Sequence, residues 1–270
     1  MRPALEAPAA YLNQAVARKA AGDFDGALSL LLRALELAPG WPEALYNLGN
    51  LRVELGDSGP AAEAYRRALA ERPGWPQAWD GLGTALRLSG DLAGALEAHR
   101  TAVALNPDDP DLQHNLAVAL QRLGREDEAL AILRQLRSPE SCVARGLLLL
   151  KRGDLAAGWE DFEWRSKPPA RDLPVWRGEP LAGRTLLLSA EQGSGAQIQF
   201  LRFVPRLAAL GGRILVEAAP NLAPLAATCP GIERVVALVD PCPQADCQLP
   251  LLSVARVLGI TLETIPADPP

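Results

Sequence analysis

The chain has 270 residues, of which 49% are hydrophobic and 22% are charged, and its formal net charge is −5. This length accommodates two domains or one elongated domain. The acidic balance excludes a general affinity for nucleic-acid backbones or anionic lipid surfaces, so neither is predicted as a partner.

Targeting and metal signals are weak. Residues 1–20 have one early arginine and no apolar run typical of an export signal, and no apolar run could span a bilayer. The four cysteines form no Cys-x-x-Cys pair, which favours reduced thiols in a cytoplasmic protein. Cys242 and Cys247 could be half of a metal site, but no histidine lies in that region, so no metal and no cofactor is predicted.

A period of 34 residues organises the first half of the chain. Glycines in this period predict tight turns between antiparallel helices, and prolines predict helix ends. One helical hairpin cannot bury its apolar face alone, so neighbouring hairpins must stack. The series are Gly22, Gly56, Gly90 and Gly124; Ala27, Ala61, Ala95 and Ala129; Ala34, Ala68 and Ala102; and Pro39, Pro73 and Pro107.

The strings YNLGNLRVELGDSGPAAEAYRRALAERPGWP and WDGLGTALRLSGDLAGALEAHRTAVALNPDDP resemble tetratricopeptide repeats. The resemblance places repeats at about 8–41, 42–75, 76–109 and 110–138, the last shortened, and a degenerate fifth at about 139–165. It implies an α-helical solenoid over residues 1–165, whose concave face is formed by the first helix of each hairpin.

Amide side chains share one phase of that concave face. They are Asn13, Asn47 and Asn115, with Gly81 in the third repeat, and we add Asn50 as a further peptide-binding candidate. An amide donates and accepts at once, so a row of them could hold an extended peptide without reading its side chains. This resembles the asparagine ladder of O-linked N-acetylglucosamine transferases. The alternative is that asparagine is simply a frequent exposed residue at this position.

Charge gives a second indication of the partner. Residues 1–165 carry the whole net charge, which slightly favours a basic peptide. A basic clamp for acidic peptide C-termini is not expected, because the positions beside the amides carry Leu12, Tyr46, Asp80 and His114 instead of lysine. His99 is predicted to be a packed core residue.

From Ser166 onward the repeat stops. Four prolines within 166–183 predict an extended linker, and the apolar run 184–190 predicts a buried parallel strand. A helix over 197–210, a strand over 213–217, a helix over 221–227, a strand over 234–239 and a strand and helix within 246–258 follow. This alternation predicts parallel βαβ units over 184–270.

A glycine-containing loop follows the first predicted strand. Gln192, Gly193, Ser194 and Gly195 lie where open α/β sheets bind ligands, at a helix start that favours anions. The spacing alone is a weak indication of a dinucleotide site, because there is no third glycine and no acidic residue at the distance typical of ribose binding.

The segment WRGEPLAGRTLLLSAEQGSGAQIQFLRFVPRLAALGGRILVEAAPNLAPLAATCPGIERVVAL, continued by CQLPLLSVARVLGITLETIPADPP, resembles a bacterial module fused to tetratricopeptide repeats. That module is the start of a glycosyltransferase family nine, heptosyltransferase-like domain. The resemblance implies a partial Rossmann-like fold, the N-terminal half of a GT-B enzyme, with residues 192–195 as its acceptor loop.

Two departures from that family bear on activity. The family carries an aspartate base directly after the loop, where this chain has Ala196, so no catalytic residue is predicted. The sequence ends at Pro270 without a donor half, so a nucleotide sugar is expected as a partner only if a donor domain is supplied.

The sequence therefore predicts a protein-interaction scaffold. Its array binds an extended protein or peptide segment in the concave groove, and its α/β part is an inactive glycosyltransferase-like remnant. Two alternatives stay open. The chain could be a fragment or variant of an active bacterial glycosyltransferase that acts on a protein or polysaccharide acceptor, or its α/β part could be a small nucleotide-binding regulatory module.

Overall fold

The computed structural model describes residues 7–167, 171–191, 193–237 and 244–266. The chain divides into two compact units, Met1–Ser138 and Pro139–Pro270. The sequence prediction placed this division after residue 165. The structure instead groups the predicted fifth repeat with the second unit, because the side chains of that hairpin pack against the sheet.

The first unit consists of four helical hairpins. Each first helix begins at a proline, Pro8, Pro42, Pro76 or Pro110, and these prolines start the four predicted repeats. At the first helical position a missing N–H costs nothing, and the fixed φ favours the helix. The helices are α1 (Pro8–Ala20), α2 (Phe24–Leu37), α3 (Pro42–Glu54), α4 (Ser58–Glu71), α5 (Pro76–Leu88), α6 (Leu92–Leu105), α7 (Pro110–Arg122) and α8 (Glu126–Leu133).

The small residues of the 34-residue period have the predicted roles. Gly22, Gly56, Gly90 and Gly124 close the hairpins with φ values of +79°, +81°, +90° and +74°. Ala27, Ala61, Ala95 and Ala129 are fully buried, which lets helices approach closely. The predicted turns and packing positions are confirmed.

The second unit begins with the hairpin of α9 (Pro139–Lys151) and α10 (Leu155–Phe162). A Cβ atom at Gly146 would lie 2.9 Å from the carbonyl oxygen of Gly158, so these two glycines allow a very close helix–helix approach. The Trp159 ring of α10 contacts the Phe200 ring edge-on, at 5.5 Å between centroids. The hairpin therefore shares the core of the α/β fold.

A four-stranded parallel sheet follows, in the spatial order β3-β2-β1-β4. Leu186 of the central strand β1 aligns with Ile214 on one side and Cys247 on the other. Every residue of β1 is buried, as expected for a parallel strand covered on both faces. The strands are β1 (Thr185–Ser189), β2 (Arg213–Ala218), β3 (Ile232–Ala237) and β4 (Cys247–Pro250).

The helices of this unit differ from prediction between residues 194 and 210. The single helix predicted over 197–210 is two helices, and the first starts three residues early, inside the predicted loop. Pro205 lacks an N–H donor and so belongs to the first turn of a new helix. The helices are α11 (Ser194–Leu201), α12 (Val204–Ala208), α13 (Ala223–Ala226) and α14 (Val254–Val257).

The predicted linker, 166–183, is packed against the sheet over its described part from residue 171. Trp176 and Leu181 are 1% and 0% exposed. The backbone N–H of Trp176 donates to Gln248 O at 2.9 Å, and Val175 forms a parallel bridge with Gln248 of β4. The two large apolar side chains among the prolines explain the difference, since burying them stabilises the segment at the edge of the sheet.

None of the helices in the described ranges is both long enough and apolar enough to cross a membrane. Among these residues there is also no group of three or more His, Cys, Asp or Glu side chains placed to hold a metal ion. Cys142, Cys229 and Cys247 are buried free thiols, and Cys242 lies outside the described residues.

Candidate functional site

The first unit contains a groove of about 390 Å³ along the first helices of its hairpins. Helices α1, α3, α5 and α7 contribute to it, as predicted for the concave face, and α4 adds one tyrosine. The lining residues are Lys19, Tyr46, Asn50, Val53, Glu54, Tyr65, Gln77, Asp80, Gly81, Thr84, Asp109, Asp111 and Leu112.

Tyr65 forms the floor of the groove between two helices. A Cβ atom at Gly49 would lie 2.7 Å from its ring, and one at Gly81 would lie 2.6 Å from it. The absence of side chains at these glycines therefore makes room for the aromatic ring. This explains why the third repeat has glycine where the other three repeats have asparagine.

Polar and aromatic partners hold the Tyr65 ring in place. Its hydroxyl donates to Asn50 Oδ1 at 2.7 Å, and its ring packs edge-on against Tyr46 at 5.9 Å between centroids. Burial, followed by the effects of Tyr46, Asp80 and Glu54, raises the pKa of Tyr65. The phenol therefore stays protonated at neutral pH and keeps its role as a donor.

Asp80 is fixed by two neighbouring helices. Its Oδ1 lies 2.8 Å from Nδ1 of His99, and the Asn115 amide donates to both carboxylate oxygens at 2.9 and 3.1 Å. The His99 side chain is 2% exposed, which confirms that it is a packed residue, whereas the Asp80 side chain is 20% exposed and lines the groove. The carboxylate is thus oriented before any ligand arrives.

The groove is rich in negative charge. Four carboxylates and one ammonium group line it, and the ammonium group of Lys19 is paired with Glu54 at 2.7 Å. Asp109 caps α7 by accepting from the backbone N–H groups of Asp111 and Leu112. Within the described part of the chain, Asp80, Asp109 and Asp111 form no ion pair with lysine or arginine.

The four predicted amides occupy different environments. Asn13 is exposed, and Asn47 is half-buried and donates to Glu43 O within its own helix at 2.8 Å. Asn115 is bonded to Asp80, and of the four Asn50 alone lines the groove. The asparagine ladder itself stays a prediction.

Sequence reasoning missed the hydrogen-bonded cluster around Asp80. The available signal was the repeat period, since Asn115 follows Asp80 by 35 residues and His99 follows it by 19, which places all three on neighbouring helices.

The second predicted site, the loop after β1, has a different character. Gly193 adopts a φ of +93° and precedes α11, whose exposed first residues are Ser194 and Gly195. Gln192 lies outside the described residues. Ala196 lies in the first turn of α11, is half-buried and packs against the apolar core of the second unit.

An internal ion pair occupies the carboxyl end of the sheet between β1 and β4. Arg165, which follows α10, donates from Nε and Nη2 to the two Glu191 oxygens, each at 2.9 Å, and from Nη2 to Ser253 Oγ at 3.0 Å. The backbone N–H of Leu252 also donates to Glu191 at 2.8 Å. Strand order reverses between these two strands, which is where open α/β sheets commonly bind ligands.

Glu163 extends this charged cluster. Burial alone would raise its pKa, but hydrogen bonds from Lys167 and Ser253 and the charge of Arg165 outweigh burial, so the pKa of Glu163 is lowered. The acids at the carboxyl end of the sheet are therefore already paired with the chain's own cations.

Comparison with known protein families identifies the repeat. Family models for the tetratricopeptide repeat match residues 12–78, 46–110 and 86–140. The helical array is built of tetratricopeptide repeats. The predicted repeat type and the α-helical solenoid are thereby confirmed.

Relatives extend this finding. Protein FlbA of Caulobacter vibrioides is 34% identical over an alignment of 121 residues that covers 38% of this chain and 20% of FlbA, so the chain spans about a fifth of that relative's length. A thermophilic tetratricopeptide repeat protein of Thermus thermophilus is 30% identical, with a TM-score of 0.50 over 58% of this chain and 89% of the other. PilF of Pseudomonas aeruginosa shares the fold at 20% identity, with a TM-score of 0.54 over 60% of this chain and 78% of PilF.

Proposed function

We propose that the tetratricopeptide array is a protein-interaction module that binds an extended segment of a partner polypeptide in its groove. The observation that carries this proposal is the 390 Å³ groove lined jointly by aromatic rings and polar side chains. Apolar surface with a few oriented polar groups is the usual composition of a ligand site.

The groove offers both kinds of contact that an extended peptide needs. The amides of Asn50 and Gln77 and the hydroxyl of Thr84 can bond peptide N–H and C=O groups. The rings of Tyr46 and Tyr65 provide surface for side chains. We include Asn13, Asn47 and Asn115 as further amide contacts along the same array.

Phage display of random dodecapeptides on the immobilised full chain tests this function. A selected peptide should bind the wild type and lose at least about tenfold in affinity to Thr84→Trp, because the indole fills the groove. Ala70→Trp adds the same ring at an exposed position of α4 that does not line the groove, so its affinity should match the wild type. Selection of no peptide, or equal binding to both variants, contradicts the proposal.

The variant Asn47→Ala tests the amide contacts without disturbing Asp80, which Asn115 orients. If a ladder contributes, a selected peptide should bind several-fold more weakly, since each lost hydrogen bond is worth about 1 kcal/mol. Unchanged peptide affinity would contradict the asparagine ladder, whereas peptide binding in the groove would still stand.

We infer that the second unit is a non-catalytic, glycosyltransferase-like remnant in this chain. Two observations support this. Ala196 has no group that accepts a proton and packs against the core, and the Arg165–Glu191 pair occupies the carboxyl end of the sheet. A protein of this kind would use its repeats as a scaffold without transferring sugar.

The strand order favours a competing function for the same unit, because its reversal beside β1 is typical of sheets that bind nucleotides. A fragment or variant of an active glycosyltransferase, or a nucleotide-binding module, would have this arrangement too. Calorimetric titration of the chain with nucleotide sugars tests the nucleotide-binding module. We expect no binding at micromolar concentrations, and micromolar binding would overturn the remnant assignment.

A further inference from the structure

Several acids of the array outside the groove are neutralised by arginines of the chain. Glu36, Glu43, Asp57, Glu97 and Glu128 each pair with an arginine of the chain. Three acids that line the groove have no lysine or arginine partner among the described residues. They are Asp80, Asp109 and Asp111. The groove therefore presents three carboxylates that no lysine or arginine of the described residues neutralises.

Asp80 is the best placed of these carboxylates to take a ligand cation. His99 and Asn115 fix its orientation from two neighbouring helices, at 2.8 to 3.1 Å. Both are hydrogen-bonding partners and neither is an arginine or lysine. A preorganised, partly buried carboxylate costs little reorganisation on binding, and a charge-assisted hydrogen bond to it is stronger than a neutral one.

Aromatic rings lie beside this carboxylate. Tyr46 and Tyr65 line the groove together with Asp80, and Tyr46 packs on Trp75 at 4.6 Å between ring centroids. A guanidinium group suits this combination better than an ammonium group, because its plane stacks on a ring while its N–H groups bond a carboxylate.

We propose that the groove selects a partner segment carrying arginine, whose guanidinium bonds Asp80 beside the ring of Tyr46. Further basic residues of the segment lie toward Asp109 and Asp111 at the start of α7. This inference rests on the proposed peptide-binding function and names the chemistry of the partner.

Degenerate nonapeptide libraries provide the probe. Four libraries have a fixed central residue, Arg, Lys, Gln or Glu, and random flanking residues, and the full chain is the binding protein. The Arg library should be retained about tenfold more than the Gln library in low salt, with Lys between them and Glu lowest. The preference should shrink as salt is raised, because the acids at the groove rim are screened.

Variants that each remove one negative charge distinguish the effect of the groove acids from the effect of the overall net charge. Asp80→Asn should reduce the Arg-over-Gln preference about tenfold, and the exposed Asp111→Asn about twofold. Glu63→Gln removes the same charge from an exposed position of α4 outside the groove and should leave the preference unchanged. Unfolding curves of all three variants show whether each is folded.

Each outcome of this experiment decides a specific point. Equal loss of preference in Asp80→Asn and Glu63→Gln, or equal retention of the Arg, Gln and Glu libraries, overturns the arginine inference and leaves peptide binding intact. Retention of no library rejects the peptide-binding function together with the inference. If Asp80→Asn fails to fold, the comparison of Asp111→Asn with Glu63→Gln tests the inference. An equal Arg-over-Gln preference in these two variants overturns it.

Discussion

The ring of Tyr65 shows how one side chain sets the sequence of two neighbouring helices. It lies against Gly49 of α3 and Gly81 of α5, and its hydroxyl bonds Asn50. Glycine lowers the stability of a helix interior relative to alanine by about 1 kcal/mol. At these two positions the packing of the ring offsets that cost.

Gly81→Ala is expected to destabilise the protein by about 1–3 kcal/mol, although alanine is the better helix former. The added Cβ would lie 2.6 Å from two ring atoms of Tyr65, so the ring or the helix must move. The free energy of unfolding in urea measures the effect.

Two comparisons isolate the cause. Gly59→Ala, in α4 with nothing within 4 Å of the new Cβ, should be neutral or stabilising. Combining Gly81→Ala with Tyr65→Leu should cost less than the sum of the two single changes, because the clash is gone. Additive costs in the double variant would show that the ring is not responsible.

At the scale of helices and strands, local signals predicted the structure well. Each hairpin turn at a glycine followed from the 34-residue period, because glycine acts through its own backbone geometry. The break between α11 and α12 was missed, since the apolar pattern over 197–210 continues through Pro205. The apolar pattern indicates which side chains are buried, and it does not show that Pro205 lacks a backbone N–H donor.

The contacts that define the candidate sites were not predictable in the same way. Asp80 meets Asn115 across 35 residues, and Arg165 meets Glu191 across 26 and Ser253 across 88. Such pairs depend on how elements pack, and no local spacing encodes them. Sequence reasoning therefore predicted which helices line the groove and missed the hydrogen bonds that fix Asp80 in it.

The Arg165–Glu191 pair is expected to couple α10 to the sheet energetically. The two side chains are 8% and 4% exposed, so removing either partner leaves a buried charge. Arg165→Met or Glu191→Leu alone should destabilise the second unit by about 3–5 kcal/mol, whereas the double variant should recover a large part of that loss. Urea unfolding of the three variants measures the coupling.

An exposed pair serves as the control for this cycle. Arg33 and Glu36 on α2 are 50% and 61% exposed at their side chains, so Arg33→Met should cost less than about 1 kcal/mol. A double variant Arg165→Met, Glu191→Leu that is no more stable than the worse single variant would show that the pair does not act as a unit.

At the scale of the whole chain, the division at Ser138 and Pro139 assigns the fifth hairpin to the second unit. The hairpin contributes Trp159 to the ring contact with Phe200 and leads into Arg165, the partner of Glu191. Arg256 of α14 also reaches Glu160 of the hairpin at 3.5 Å. Repeat-like sequence and membership of the repeat array are thus separate properties here.

Two fragments distinguish a boundary of the second unit at residue 139 from one at residue 166. Fragment 139–270 should unfold cooperatively in urea, because it keeps the hairpin that covers Phe200 and neutralises Glu191. Fragment 166–270 lacks both contacts and should bind a hydrophobic dye and lose its near-ultraviolet circular dichroism, the behaviour of a chain without fixed packing. Fragment 1–138, which contains the four regular repeats, should unfold cooperatively and serves as the control. If the urea unfolding curves of fragments 139–270 and 166–270 have equal midpoints and slopes, the boundary lies after residue 165 as the sequence predicts.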